Sequence, residues 1–272
     1  MPGGLPVAGP LARTVADAAL LLDAMIAPAG GRPEHPFAVR APGGDEQLLG
    51  AAIRGEGRYQ LGVMTTSAWD DAYEINLAPE ALAALTEAVD GFAAMGHGIE
   101  QTALVADPSY APAFRALWQL SAARIPAETP EQEALLEPLT RWLLHRGREL
   151  TGRAVAEALS ALAAYERSFI GQLARFDAVL TPALALTPRP VGWYDAADGE
   201  RNFAQQVQYT PFTSMVNVCG LPAITLPVSV TAEGLPMGVQ LIGRPGGEAT
   251  LLALGAQLER TLRWQDRMPH LF

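Results

Sequence analysis

The sequence predicts an α/β protein with a mixed β-sheet flanked by helices. Three observations carry this. Segments with apolar residues at helical spacing alternate with short strand-like runs. One strand–helix–strand unit has the length that a parallel pair needs. The last third then turns to alternating apolar residues around Gly234, the pattern of an antiparallel hairpin.

The elements follow in order. A helix is predicted over residues 14–27, where Thr14 and Asp17 have capping-box spacing and Val15, Ala18, Leu22 and Met25 recur at helical intervals. Ala27-Pro28-Ala29-Gly30-Gly31 stops it. Residues 28–58 are rich in Gly and Pro and read as a surface crossing, with a short helix over 46–53. Residues 59–64 read as a buried strand. A helix then starts at Pro79, with Leu82, Leu85, Val89 and Phe92 on one face, and ends at Gly96 before a strand over 97–101.

Residues 108–176 are predicted helical, broken near 126–130 and at Thr151-Gly152. Of the aromatic residues Phe114, Trp118, Trp142, Tyr165 and Phe169, most suit a core. Trp118 also suits a pocket wall. Residues 177–182 form a short strand, followed by a long Pro-rich loop with Trp193 and Tyr194 and a helical stretch near 210–218. Residues 223–230 and 237–242 are the hairpin strands. A last amphipathic helix with Leu251, Leu254, Leu258 and Leu262 covers one sheet face.

Composition bounds the function. The chain has 272 residues, 49% hydrophobic and 18% charged, enough for one sizeable core, and a single domain over 1–272 is expected. The net charge of -10, without a Lys/Arg cluster, argues against a nucleic-acid partner. All 19 basic residues are Arg, which stays protonated and cannot accept a proton as a neutral lysine can. Cys219 is the single cysteine, and His35, His97, His145 and His270 are scattered, so neither a metal nor a cofactor is expected. No apolar run has the length of a membrane span and no leader pattern is visible, so a cytoplasmic protein without membrane partners is expected.

Three segments carry a resemblance. The first is Gly9-Pro10-Leu11-Ala12-Arg13-Thr14-Val15-Ala16-Asp17-Ala18-Ala19-Leu20-Leu21-Leu22-Asp23. The second is 177–182 with Pro190-Val191-Gly192-Trp193. The third runs from Asn217-Val218-Cys219-Gly220-Leu221-Pro222-Ala223 through Gly238 and Arg244 to Glu248-Ala249-Thr250. In order and spacing, and with Trp264, Arg267 and Pro269, they resemble the amidase-signature family of serine amidases. The fold implied is the C-terminal part of the amidase-signature fold.

The motif residues also have structural readings. Gly220 enters a strand through a conformation that a side chain would forbid. Pro222 and Pro227 bracket a strand where no ladder N–H is required. Asn217 is expected to bond the backbone of its turn. Arg13 and Asp17 lie one helical turn apart and could pair. Arg244 and Glu248 lie near the start of the last helix, where Glu suits the dipole.

The resemblance implies hydrolysis of non-peptide carboxamides by a Ser–cis-Ser–Lys triad, with backbone N–H groups holding the oxyanion. In the family these elements precede the helix that begins here near Thr14. The chain has no GGSSGGS-like segment and no Lys, so no catalytic residue can be assigned and the chain alone is expected to be inactive. What remains is expected to wall the acyl pocket, with Trp118, Trp193, Tyr209, Thr210 and Phe212 as candidates. Thr210 stands where the glutamine-handling branch has an Asp, which disfavours an amino-bearing substrate. Cys219 reads as a core residue. Ser214 and Ser229 lack a GxSxG setting and a marked partner. The implied partner is a small-molecule amide. Either a missing N-terminal half or self-association is expected to cover the exposed apolar edge, and a non-catalytic scaffold or a split-amidase subunit is the alternative reading.

Overall fold

A computed structural model describes residues 5–26 and 47–267. The predicted stop at 27–31, the first residue of the 46–53 helix, His35, Pro269 and His270 lie outside the described residues. Strands β1 (Gln60–Met64), β2 (Gly98–Thr102), β3 (Ala178–Pro182), β4 (Ala223–Val230) and β5 (Pro236–Gly243) form one sheet in the order β2-β1-β3-β5-β4. β1 runs parallel to β2 and to β3, with Leu61 opposite both Ile99 and Ala178. β5 is antiparallel to β3 and β4. The parallel β1–β2 pair is joined by α3 (Pro79–Ala94), whose first residue is a proline that suits a position with no N–H to satisfy. The sheet is mixed, as the sequence predicted.

The two-residue period of the strands separates two cores. On one face Leu61, Val63, Ala178, Leu180, Val239 and Leu241 pack against α1 (Val15–Ile26), α2 (Leu48–Arg54), α3 and α10 (Glu248–Leu262). On the other, Met64, Val179 and Ile242 meet α4 (Tyr110–Ala123), α6 (Pro138–Arg148), α7 (Gly152–Leu173), α8 (Gly199–Tyr209) and α9 (Ser214–Val218). Between α4 and α6 lies the one-turn α5 (Pro130–Ala134), which opens on a complete capping box of Thr129 and Gln132. Thr151 caps α7 through the Ala154 N–H, which places a helix start where the sequence marked a break.

Several expectations need correction. The buried stripe of α1 is Val15, Ala19, Leu22 and Ile26, while Met25 is 52% exposed. Leu82 of α3 faces outward, and Ala81, Ala84, Leu85, Ala88 and Phe92 make its buried face. Small alanines let that helix sit close to the sheet. Residues 199–209 are not loop but α8. Asp198 caps this helix by accepting from the Glu200 and Arg201 N–H groups, and only Phe203 and Val207 mark its apolar side.

The motif residues take structural positions. Gly220 has φ +59°, a left-handed conformation that glycine adopts without strain. The Pro222 carbonyl accepts from Gly243 N–H, and Glu248 opens α10. Arg244 pairs with Asp177 at 3.3 Å. Arg13 and Asp17 form no ion pair: Arg13 offers its carbonyl to Trp264 Nε1, and Asp17 its N–H to Thr14 Oγ1. Asn217 bonds not its own turn but the distant Leu5 carbonyl at 2.8 Å, tying the N-terminal segment to α9. Among the described residues no helix is long and apolar enough to cross a membrane.

Candidate functional site

Beyond the C-terminal end of β1, a turn is built from Ser67 and Asp70. The Asp70 carboxylate accepts from the Ser67 N–H at 3.1 Å and the Ser67 Oγ–H at 2.5 Å, while Ser67 Oγ accepts from Trp69 N–H. This turn holds the Trp69 ring against the edges or faces of Tyr73, Tyr110, Phe114 and Phe203. On the opposite side, buried Gln240 of β5 donates to the Phe212 carbonyl at 3.0 Å and fixes the entry to α9. The Trp69 indole N–H then reaches Ser214 Oγ at 2.8 Å. Tyr110 O–H reaches the same oxygen at 2.8 Å.

These elements frame a half-open cavity of about 270 Å³. Trp69, Phe114, Trp118 and Phe203 supply aromatic wall, and Leu5 to Val7 close one side. Gln206, Thr210, Thr213, Ser214 and Asn217 supply its polar groups, and among the described residues no ionisable side chain lines it. A neutral ligand with a flat apolar body suits such a lining, whereas a buried ammonium group would find no carboxylate.

Of the predicted pocket residues, Trp118 and Thr210 line this cavity. Thr210 Oγ1 donates back to the Gln206 carbonyl at 3.0 Å, so its methyl group and backbone form the wall. Trp193 and Tyr209 lie outside, with ring centroids 6.2 Å apart. Phe212 is fully buried in the core and does not line this cavity. Tyr209 and Phe212 flank Thr210 in the chain, but the turn from α8 into α9 points them elsewhere, and Trp193 sits in the loop before α8. Asn217, read from sequence as structural, does reach the cavity.

Trp69 and Tyr110 were not singled out from the sequence, and Ser214 was weighed there only as a nucleophile without a marked partner. No local motif marks them. They meet only because the ends of β1, α4 and α9 converge. Cys219 is buried, and burial pushes its thiol pKa up, the reverse of what a nucleophilic thiolate needs. Among the described residues no group of His, Cys, Asp and Glu is placed to hold a metal ion.

The family described as Amidase matches residues 2–252. The chain belongs to the amidase family. It is 31% identical to the putative amidase AmiB2 of Mycobacterium tuberculosis over 269 residues, covering 98% of this chain and 54% of the relative. The 6-aminohexanoate-cyclic-dimer hydrolase of Paenarthrobacter ureafaciens is 29% identical, with 97% and 55% covered. A solved structure of 6-aminohexanoate cyclic dimer hydrolase superposes with a TM-score of 0.81 at 28% identity, covering 95% of this chain and 55% of that one. A bacterial aryl acylamidase shares the fold, with a TM-score of 0.70 at 20% identity. The amidase chain thus spans about half the length of the relatives it matches.

Proposed function

We propose that this amidase chain carries the substrate-pocket half of an enzyme that hydrolyses a neutral, apolar, non-peptide carboxamide, and that the chain alone does not turn over. The observation that carries the reading is the cavity between α4, α8 and α9, aromatic on its walls and, among the described residues, without an ionisable side chain in its lining. The expected inactivity rests on chemistry. A serine amidase of the kind the resemblance implies needs a base to take the hydroxyl proton, and the chain contains no lysine.

The test uses the purified chain with benzamide, acetanilide and glutamine. Neither ammonia nor aniline is expected to be released, and a serine-directed covalent probe should leave the mass unchanged. Benzamide should quench the fluorescence of Trp69 and Trp118, and glutamine should not. Reproducible turnover by the pure chain would overturn the inactivity. Tighter binding of glutamine than of benzamide would overturn the apolar pocket.

A second reading, one subunit of a split amidase, is favoured by the outer side of the first helix. Leu20, Leu21 and Met25 of α1 are 52%, 46% and 52% exposed, and Leu11 in the segment before it is 97% exposed. Exposed apolar side chains of this size suit a partner better than water. Sedimentation of the pure chain tests this reading, and a dilution-stable monomer would count against it.

A further inference from the structure

Ser214 Oγ sits where two buried donors converge. Trp69 Nε1 approaches at 2.8 Å, and an indole N–H can only donate. Tyr110 is fully buried, and among the described residues Ser214 is the only hydrogen-bond partner of its hydroxyl. The phenol proton therefore goes to Ser214, because the reverse arrangement would strand a buried O–H without an acceptor. Burial also pushes the Tyr110 pKa far up, which keeps that proton in place.

A serine oxygen has two lone pairs and one proton. Trp69 and Tyr110 occupy both lone pairs. The proton remains, and no protein acceptor among the described residues receives it. The other cavity hydroxyls are committed, since Thr210 donates to the Gln206 carbonyl and Thr213 to the Thr210 carbonyl. Ser214 is half-buried on the cavity wall, so the uncommitted proton belongs to the cavity.

We propose that Ser214 is a positioning residue whose hydroxyl is locked as a donor, so that it engages an acceptor oxygen of the ligand and cannot accept from a ligand N–H or O–H. This rests on the reading of the cavity as an amide pocket and gives that pocket a polarity. A carbonyl-bearing ligand with an aromatic ring packed on Phe114 and Trp118 would be oriented oxygen-first toward Ser214. A group that can only donate, such as an indole N–H, would meet a filled acceptor.

The test uses the full chain and a matched ligand pair, acetophenone and α-methylstyrene, in which C=O is replaced by C=CH₂. Affinities are read by titration calorimetry. Wild type should prefer the ketone. Ser214→Ala should lower that preference about fivefold, the worth of one neutral hydrogen bond, with α-methylstyrene affinity held. Ser214→Thr keeps the hydroxyl and should restore the preference.

Tyr110→Phe frees one lone pair on Ser214 and should raise binding of phenol relative to toluene by about the same factor. That variant decides the matter if Ser214→Ala does not fold. Equal loss of both ligands in Ser214→Ala would mean that Ser214 only shapes the wall, and would overturn the proposal. So would an unchanged preference while benzamide still binds, which leaves the pocket reading standing. If wild type binds none of these ligands, the pocket reading and the proposal fall together.

Discussion

The side chain of Glu259 accepts a hydrogen bond from the backbone N–H of Val15 at 2.8 Å, across 244 positions of sequence. Val15 is the first residue of α1, and its N–H is one of the groups that a helix leaves unpaired at its start. Glu259 is buried, on the face of α10 turned toward α1. A carboxylate at the positive end of the helix dipole thus closes α1 from outside its own segment. Thr14 contributes the local part by accepting from Asp17 N–H.

Replacing Glu259 with Ala should destabilise the chain by about 1–3 kcal/mol, because a buried donor loses its acceptor. Glu259→Gln keeps an acceptor oxygen and should lose much less. Denaturant midpoints measure the difference. Amide exchange of Val15 should quicken in the Ala variant alone, and equal loss in both variants would contradict the capping role.

His97 is fixed in a similar way. Its Nδ1 accepts from Tyr59 N–H at 3.1 Å, and its Nε2 faces Gln257 Oε1 at 2.8 Å. The ring stacks on Tyr59 at a centroid distance of 5.8 Å and meets Phe92 edge-on. With Nδ1 accepting, the neutral ring must carry its proton on Nε2. Nitrogen chemical shifts should report that tautomer, and a proton on Nδ1 would be incompatible with the Tyr59 bond. His97→Ala should cost about 2–3 kcal/mol, from two lost hydrogen bonds and the ring packing.

These contacts show where sequence reading stops. The strands, the parallel β1–β2 unit and the β4–β5 hairpin follow from patterns a few residues long, and they were legible. So was Gly220, whose backbone demand is local. Glu259 on Val15 and Asn217 on Leu5 join residues more than 200 apart, and nothing near either end announces them. The cavity is of the same kind. Thr210 and Trp118 could be suspected one at a time, but Trp69, Tyr110 and Ser214 acquire meaning only as a trio. Helix α8 was missed for a different reason: Phe203 and Val207 give it only a short apolar stripe after a proline-rich stretch, although Asp198 did offer a cap.

Tyr165 predicts a response to alkali. Among the described residues its buried hydroxyl has no hydrogen-bond partner, and burial pushes its pKa far up. Burial likewise raises Tyr110 and the Cys219 thiol above their ordinary values of 10.0 and 9.0. In the unfolded chain these groups lose protons near the ordinary values, while the folded chain retains them. The unfolded state then binds fewer protons, so stability falls as pH rises, by up to about 1.4 kcal/mol per pH unit for each group. Their contribution is fully present below pH 9.0, where the thiol value lies. Tyr165→Phe removes an unpaired hydroxyl and one of the three groups. It should melt no lower than wild type at neutral pH and decline less steeply above pH 10, as thermal melts at several pH values would show. An unchanged slope would contradict the assignment.

The crossing of α4 and α6 sets the last prediction. A Cβ built on Gly147 would lie 2.1 Å from the Gln119 carbonyl oxygen and 2.9 Å from Ala123 Cβ. Neither atom is the end of a flexible side chain, so the two helices would have to separate. Gly147→Ala should therefore destabilise by about 1–3 kcal/mol or more, despite the better helix propensity of alanine. Gly152, at the start of α7, has open space around the same atom and no left-handed φ. Gly152→Ala should be neutral or stabilising by up to about 1 kcal/mol, which makes it the matched control. The contrast also bears on function, because α4 carries Phe114 and Trp118 into the cavity. Gly147→Ala should weaken benzamide binding and shift the tryptophan fluorescence, and Gly152→Ala should do neither. If the two variants behaved alike in denaturant and in titration, the close α4–α6 contact would not be what holds the cavity wall in place.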